Sequence, residues 1–137
     1  MSHDQEATHA YPLDTIDDLE AMVQEKGLDV VGIDEIQFID PDPQRVVEVL
    51  FKILDRGITI IVAGLDMDYQ KVPFEIIKEL MPRADYVYKH HAVCTCCGSD
   101  AWVSHRKSSK TSRVVLGAID EYEPLCRACY EKMKTKE

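Results

Sequence analysis

The chain has 137 residues, 45% hydrophobic and 30% charged, with 16 Lys+Arg against 25 Asp+Glu and a net charge of −9. That balance suits a folded globular chain and excludes a disordered one, and the negative charge argues against a surface built to coat nucleic acid or an anionic membrane. No apolar run reaches the ~18 residues of a membrane span, and the acidic start MSHDQEATHAYPLD lacks the apolar stretch of a signal peptide. A reducing, cytoplasmic location without membrane partners is the expectation.

The charge is uneven. Residues 1–88 hold 7 Lys+Arg and 19 Asp+Glu, whereas residues 89–137 hold 9 and 6. The sign changes where the cysteines begin, which predicts two modules, 1–88 and 89–137.

In chain order, residues 15–26 read as a helix, with Thr15 as N-cap, an apolar stripe of Ile16, Leu19, Met22 and Val23, and Gly27 as the stop. Residues 28–33 (LDVVGI) read as a buried strand. Residues 41–57 read as a second helix, opened by prolines and closed by Gly57. Residues 58–64 (ITIIVAG) are a second strand, apolar enough to be covered on both faces. Strand, helix, strand at this spacing is a βαβ unit with parallel strands. A short helix over 73–81 and a third strand over 84–90 complete the acidic module.

Open α/β sheets gather their chemistry at the carboxyl ends of the strands. Asp34 and Glu35 stand there, directly after VVGI. An apolar strand ending in Asp is the Walker B pattern, in which the Asp holds Mg²⁺ with its nucleotide. An adjacent Glu can serve as general base toward a hydroxyl. A solvated strand end reads equally well. Asp66 and Asp68 follow the second strand and read as an ordinary polar loop. A phosphate loop of the form GxxxxGK[ST] would be the partner of a Walker B, but none of the six glycines is followed by Lys-Ser or Lys-Thr.

All five cysteines follow residue 93, and Cys94-x2-Cys97 and Cys126-x2-Cys129 form two CxxC knuckles. Two knuckles complete a tetrahedral Cys₄ site with no open position, so a structural Zn²⁺ is expected. Cys96 is spare, and His90 and His91 read as exposed loop residues. Between the knuckles, 101–106 and 113–117 read as hairpin strands around the basic loop KSSKTS. The small positive charge and the scarcity of aromatics there argue against nucleic acid. A lid over a small ligand fits a mobile loop held by metal at its base.

Together these features resemble the type II (cytosolic, zinc-containing) thymidine kinase family. The matching stretches are DVVGIDEIQF, IIVAGLDMDYQKVPF, AVCTCCG, AWVSHR and GAIDEYEPLCRACY, in family order over about residues 2–130. The resemblance implies an α/β fold: an incomplete P-loop-type parallel sheet followed by a C-terminal zinc-ribbon lasso module. The family's opening segment, with its GKT or GKS loop, has no counterpart in these residues. The implied activity is transfer of the γ-phosphoryl of ATP to the 5′-hydroxyl of deoxythymidine, a supply reaction for DNA synthesis.

By motif position, Asp34 would ligate the Mg²⁺ that accompanies ATP, Glu35 would take the proton from the 5′-hydroxyl, and Gln37 would lie near the nucleotide. Phe38 would lie near the nucleoside, and Leu65, Tyr69 and Phe74 would surround the thymine, with core packing as the alternative for the last three. Ser104, Val115 and Tyr122 match lasso positions that grip base and sugar, with a strand hydroxyl as the alternative for Ser104 and a core residue for Tyr122. Arg106 matches a basic position facing phosphate, and Ser2-His3 matches the family's Ser-His segment. Cys94, Cys97, Cys126 and Cys129 would hold the zinc. The resemblance also implies a homo-oligomer, a tetramer. The competing reading is a non-catalytic zinc-bearing fragment or subunit that binds a partner chain or nucleic acid.

Overall fold

Helix α1 (Asp17–Lys26) is the first element in the computed structural model, which describes residues 9–107 and 122–134. The expected Thr15 cap is not formed. Ile16 occupies the cap position without a side-chain bond, and the Thr15 carbonyl accepts from the Asp18 N–H. Asp17, Asp18 and Glu20 instead crowd the first turn, where carboxylates complement the helix dipole. Gly27 ends the helix at φ 60°, a left-handed conformation that glycine adopts without a Cβ clash.

Strand β1 (Val30–Ile33), a short 3₁₀ turn (Ile36–Phe38), α2 (Pro43–Leu54) and β2 (Thr59–Val62) follow. Asp42 caps α2 by accepting from the N–H groups of Gln44 and Arg45, with Pro43 in the first turn. β1 and β2 pair in parallel, Val30 opposite Thr59 through Ile33 opposite Val62, as the βαβ reading requires. These elements form a compact unit, Met1–Ala63. Its interior is Ile16, Leu19 and Val23 of the α1 segment, Val31 and Ile33 of β1, Ile36, and Val46, Val49, Leu50 and Ile53 of α2. Arg45 pairs with Asp17 and Arg56 with Glu20 between the helices. Both pairs are exposed and orient more than they stabilise. Asp17 raises the Arg45 pKa.

The strands depart from the expectation of full burial. β1 alternates, with Val31 and Ile33 inside and Val30 56% exposed, while Ile61 of β2 is 60% exposed. A continuous apolar run signals a strand covered on both faces, and the described residues cover this pair on one.

Ile53 has no exposed surface. Replacing it by alanine removes buried methyl groups and leaves a cavity, so Ile53→Ala should cost about 2–5 kcal/mol, read as a lowered urea midpoint.

The second unit, Gly64–Glu137, holds α3 (Glu75–Leu80), a 3₁₀ turn (Met81–Arg83), β3 (Ala92–Val93), β4 (Asp100–Ala101), β5 (Val103–Arg106), β6 (Tyr122–Leu125) and α4 (Arg127–Lys134). β3 pairs antiparallel with β4, and β5 with β6, Val103 opposite Leu125 through Arg106 opposite Tyr122. The third strand expected over 84–90 is not formed. Its residues find no strand partner among the described residues, and Tyr86, Val87 and Tyr88 are exposed. Residues 113–117, the expected partner of 101–106, lie outside the described residues, as do most of KSSKTS, Ser2, His3 and Val115. No helix among the described residues is long and apolar enough to cross a membrane.

Candidate active site and metal centre

In the first unit, the chain turns sharply where β1 ends. Ala63 N–H donates to Ile33 and Ile36 N–H donates back to the Ala63 carbonyl, which ties the turn to the end of β2. Between them sits Glu35 in the left-handed region, φ 53° and ψ 45°. A non-glycine residue there carries strain that surrounding bonds must hold, and such residues concentrate at functional sites. Two bonds hold it. The Asp34 carboxylate accepts from the Glu35 N–H at 2.9 Å, and the Gln37 amide Nε2 donates to Glu35 Oε2 at 2.8 Å. Gln37 is buried, whereas Asp34, Glu35 and Phe38 are exposed. Two carboxylates therefore face solvent at a strand's carboxyl end, one of them aimed by a buried amide. That arrangement can bind a divalent cation and accept a proton from a hydroxyl.

In the second unit, the loop after Gly64 is shaped by Asp68. Its buried carboxylate accepts from the N–H groups of Gln70 and Val72, and the turn closes through Asp68 N–H to the Val72 carbonyl, with Lys71 at φ 64°. The acidic loop is thus a built turn, and it presents Leu65 and Tyr69 while Phe74 is buried. Leu65 and Ser104 meet in an open cleft of about 140 Å³ with Asp66, Lys89, Trp102 and Pro124. Pockets that enclose a small molecule run to ~300–1,000 Å³, so this is a shallow cleft and not an enclosure. Tyr69, Arg106 and Tyr122 gather in a separate cluster. The Arg106 guanidinium lies 3.7 Å from the Tyr69 ring centroid and donates to the Tyr122 hydroxyl at 2.7 Å.

Sequence reasoning missed Tyr130, whose hydroxyl donates to the Tyr69 carbonyl at 3.0 Å. It also missed α4, although Cys126, Cys129, Tyr130 and Met133 recur at helical spacing. Lys71 reaches α4 too, pairing with Glu131 at 2.9 Å and holding that carboxyl below its ordinary range.

The four knuckle cysteines converge. Their sulfurs all lie within 4.8 Å of one another, and Cys97 Sγ is 3.7 Å from Cys126 Sγ. A tetrahedron with metal–sulfur bonds of ~2.3 Å has edges of ~3.8 Å, so the spacing fits one metal ion. Gly98, at φ 80°, allows the tight first knuckle, in which its N–H donates to the Cys94 carbonyl. Cys94 and Cys129 are buried in one apolar cluster with Ala101, Val103, Leu125 and Tyr130. Charge is prepared as well. The Cys126 backbone lowers the Cys94 thiol to about 6, and Ser99 lowers Cys97. Hydrogen bonding to Cys126 and burial push Cys129 up, so its proton needs a cation's charge to leave. No disulfide forms among the five cysteines, and Cys96 is exposed outside the quartet. His91 accompanies Trp102 and Asp100 and does not join the sulfurs.

The family model described as thymidine kinase matches residues 1–130. A thymidine kinase of Porphyromonas gingivalis is 42% identical over 132 residues, covering 96% of this chain and 62% of that protein. A thymidine kinase of Rhodothermus sp. is 41% identical over 131 residues, covering 96% and 59%. One of Roseiflexus sp. is 36% identical over 137 residues, covering 96% and 70%. The chain thus spans about three fifths of the length of the first two of these relatives. A match over nearly its whole length places the chain: it belongs to the thymidine kinase family.

Proposed function

We propose that these residues form the general-base and nucleoside-binding part of a kinase that moves the γ-phosphoryl of ATP to the 5′-hydroxyl of deoxythymidine. The observation that carries this reading is Glu35, strained at a strand's carboxyl end with its carboxylate aimed by buried Gln37. Glu35 accepts the hydroxyl proton, and Asp34 would hold the Mg²⁺, which would supply charge neutralisation to the triphosphate. Gln37 and Phe38 support the nucleotide and nucleoside sides. Leu65, Tyr69, Phe74 and Ser104, with Val115 and Tyr122 of the lasso, receive the thymine and sugar.

The four sulfurs suit a structural Zn²⁺, since a closed thiolate tetrahedron is its commonest setting. The finer fold reading is an incomplete P-loop-type sheet over 1–88 with a zinc-ribbon lasso over 89–137, a division by charge and chemistry. A cytoplasmic location and a homotetramer accompany the reading.

Thymidine binding tests it. Titrating deoxythymidine into the isotopically labelled, zinc-loaded chain should shift the Tyr69 and Ser104 signals saturably, while adenosine shifts them far less. Equal response to both nucleosides, or none to thymidine, would contradict the reading.

A further inference from the structure

Arg106 is withdrawn from solvent. It is 4% exposed at the end of β5, in register with Tyr122 of β6. Its guanidinium carbon lies 3.7 Å from the Tyr69 ring centroid and 5.3 Å from that of Tyr122, and Nη2 donates to the Tyr122 hydroxyl at 2.7 Å. A cation that meets a triphosphate must be open to a ligand arriving from solvent. This one is withdrawn among aromatic rings.

We propose that Arg106 is a positioning residue of the nucleoside site, locking the Tyr69 and Tyr122 rings in the attitude that receives a pyrimidine nucleoside. The inference rests on the function proposed above and replaces the phosphate role that family resemblance suggests for this residue. The guanidinium occupies one face of Tyr69, so a base cannot stack on that face. Tyr69 remains half-buried, not sealed. Its backbone is fixed from below, because Tyr130 donates to its carbonyl at 3.0 Å. Main chain and ring are thus held from two sides, by α4 and by β5. Tyr122 begins β6, so the same guanidinium also holds the start of that strand. A flat, delocalised cation can stack on one ring and donate in its own plane to a second group at once, which a lysine ammonium cannot.

The test compares Arg106→Met and Arg106→Lys with the parent in the zinc-loaded chain, with zinc content and melting temperature as controls of folding. Arg106→Met should weaken thymidine binding about tenfold and shift the Tyr69 ring-proton signals of the unliganded chain. Arg106→Lys keeps the charge but should recover less than half of that loss on a logarithmic scale. In a Tyr69→Ala background, Arg106→Met should add less than about twofold, because coupled residues are not additive. Equal thymidine affinity in parent and Arg106→Met, or a full additional loss in the Tyr69→Ala background, overturns the proposal alone. If Arg106→Met fails to keep its zinc, Arg106→Lys decides: an unchanged affinity and unchanged Tyr69 signals overturn the proposal. A parent chain that binds no thymidine overturns the function proposed above, and this inference with it.

Discussion

Cys97→Ser should strip the metal and unfold the cysteine module. The apolar cluster around the sulfurs is small, and two of its buried members, Cys94 and Cys129, belong to the quartet positioned to hold the metal. Structural zinc in small domains contributes about 10–16 kcal/mol of apparent binding energy, which is folding energy where no preformed site exists. That exceeds most of what a small domain has to spare, so the remaining contacts of Val103, Leu125 and Tyr130 should not hold β5, β6 and α4 together. The expected result is less than 0.1 zinc per chain by elemental analysis, against one in the parent, with loss of the Tyr130 and Leu125 tertiary signals. Acid should act in the same direction. The Cys94 thiol is held near 6 by the Cys126 backbone, so its thiolate persists above that pH and is lost as pH falls through it. Zinc retention should fall as the pH is lowered, since the ligands bind deprotonated and protons compete with the metal. One zinc per chain and an unchanged melting curve in Cys97→Ser would reject the site.

Glu35→Gln should lower kcat for thymidine phosphorylation by about 10²–10⁴-fold in a form of the kinase that includes a phosphate-binding loop, the usual range for losing a general base. The amide keeps the shape of the side chain and its place at φ 53°. It cannot take the hydroxyl proton. Gln37 would still find an oxygen to donate to, so the turn should persist and thymidine binding should change little. KM should therefore stay within about threefold while kcat collapses, the signature of a group that acts in the transition state. Zinc content should be unaffected. A variant with full activity would remove Glu35 from the mechanism.

Legibility in the sequence followed the range of the interactions. The two knuckles were readable because four thiolates at CxxC spacing have few other uses, and the sulfurs do converge. Helices α1 and α2 and the parallel pairing of β1 with β2 followed from local periodicity and the βαβ rule. The extended segment over 84–90 carries a strand's composition, but pairing needs a neighbour that composition cannot supply. Strand burial failed for a related reason: apolar runs record the cover a strand suits, not the cover these residues provide. Within the candidate site, Asp34 and Glu35 were visible as a motif. The backbone strain at Glu35 and the aim given by Gln37 were not, because both depend on how β2 fastens the turn. Arg106 shows the limit most clearly. Family resemblance marks it as a basic position facing phosphate, and its burial against Tyr69 and Tyr122 depends on tertiary packing that the sequence does not display.

Phosphoryl transfer is catalysed mainly by positioning and by neutralising charge on the moving group. The 137 residues contain Asp34 and Glu35 but no GxxxxGK[ST]. The direct measurement is thymidine 5′-monophosphate formed from ATP and deoxythymidine by this chain, with and without a supplied segment bearing a strand, a GxxxxGK[ST] loop and a helix. The account predicts negligible product from the 137 residues alone and steady turnover when the segment is supplied. Vigorous turnover by the 137 residues alone, or none in the presence of a segment shown to bind ATP, would contradict it.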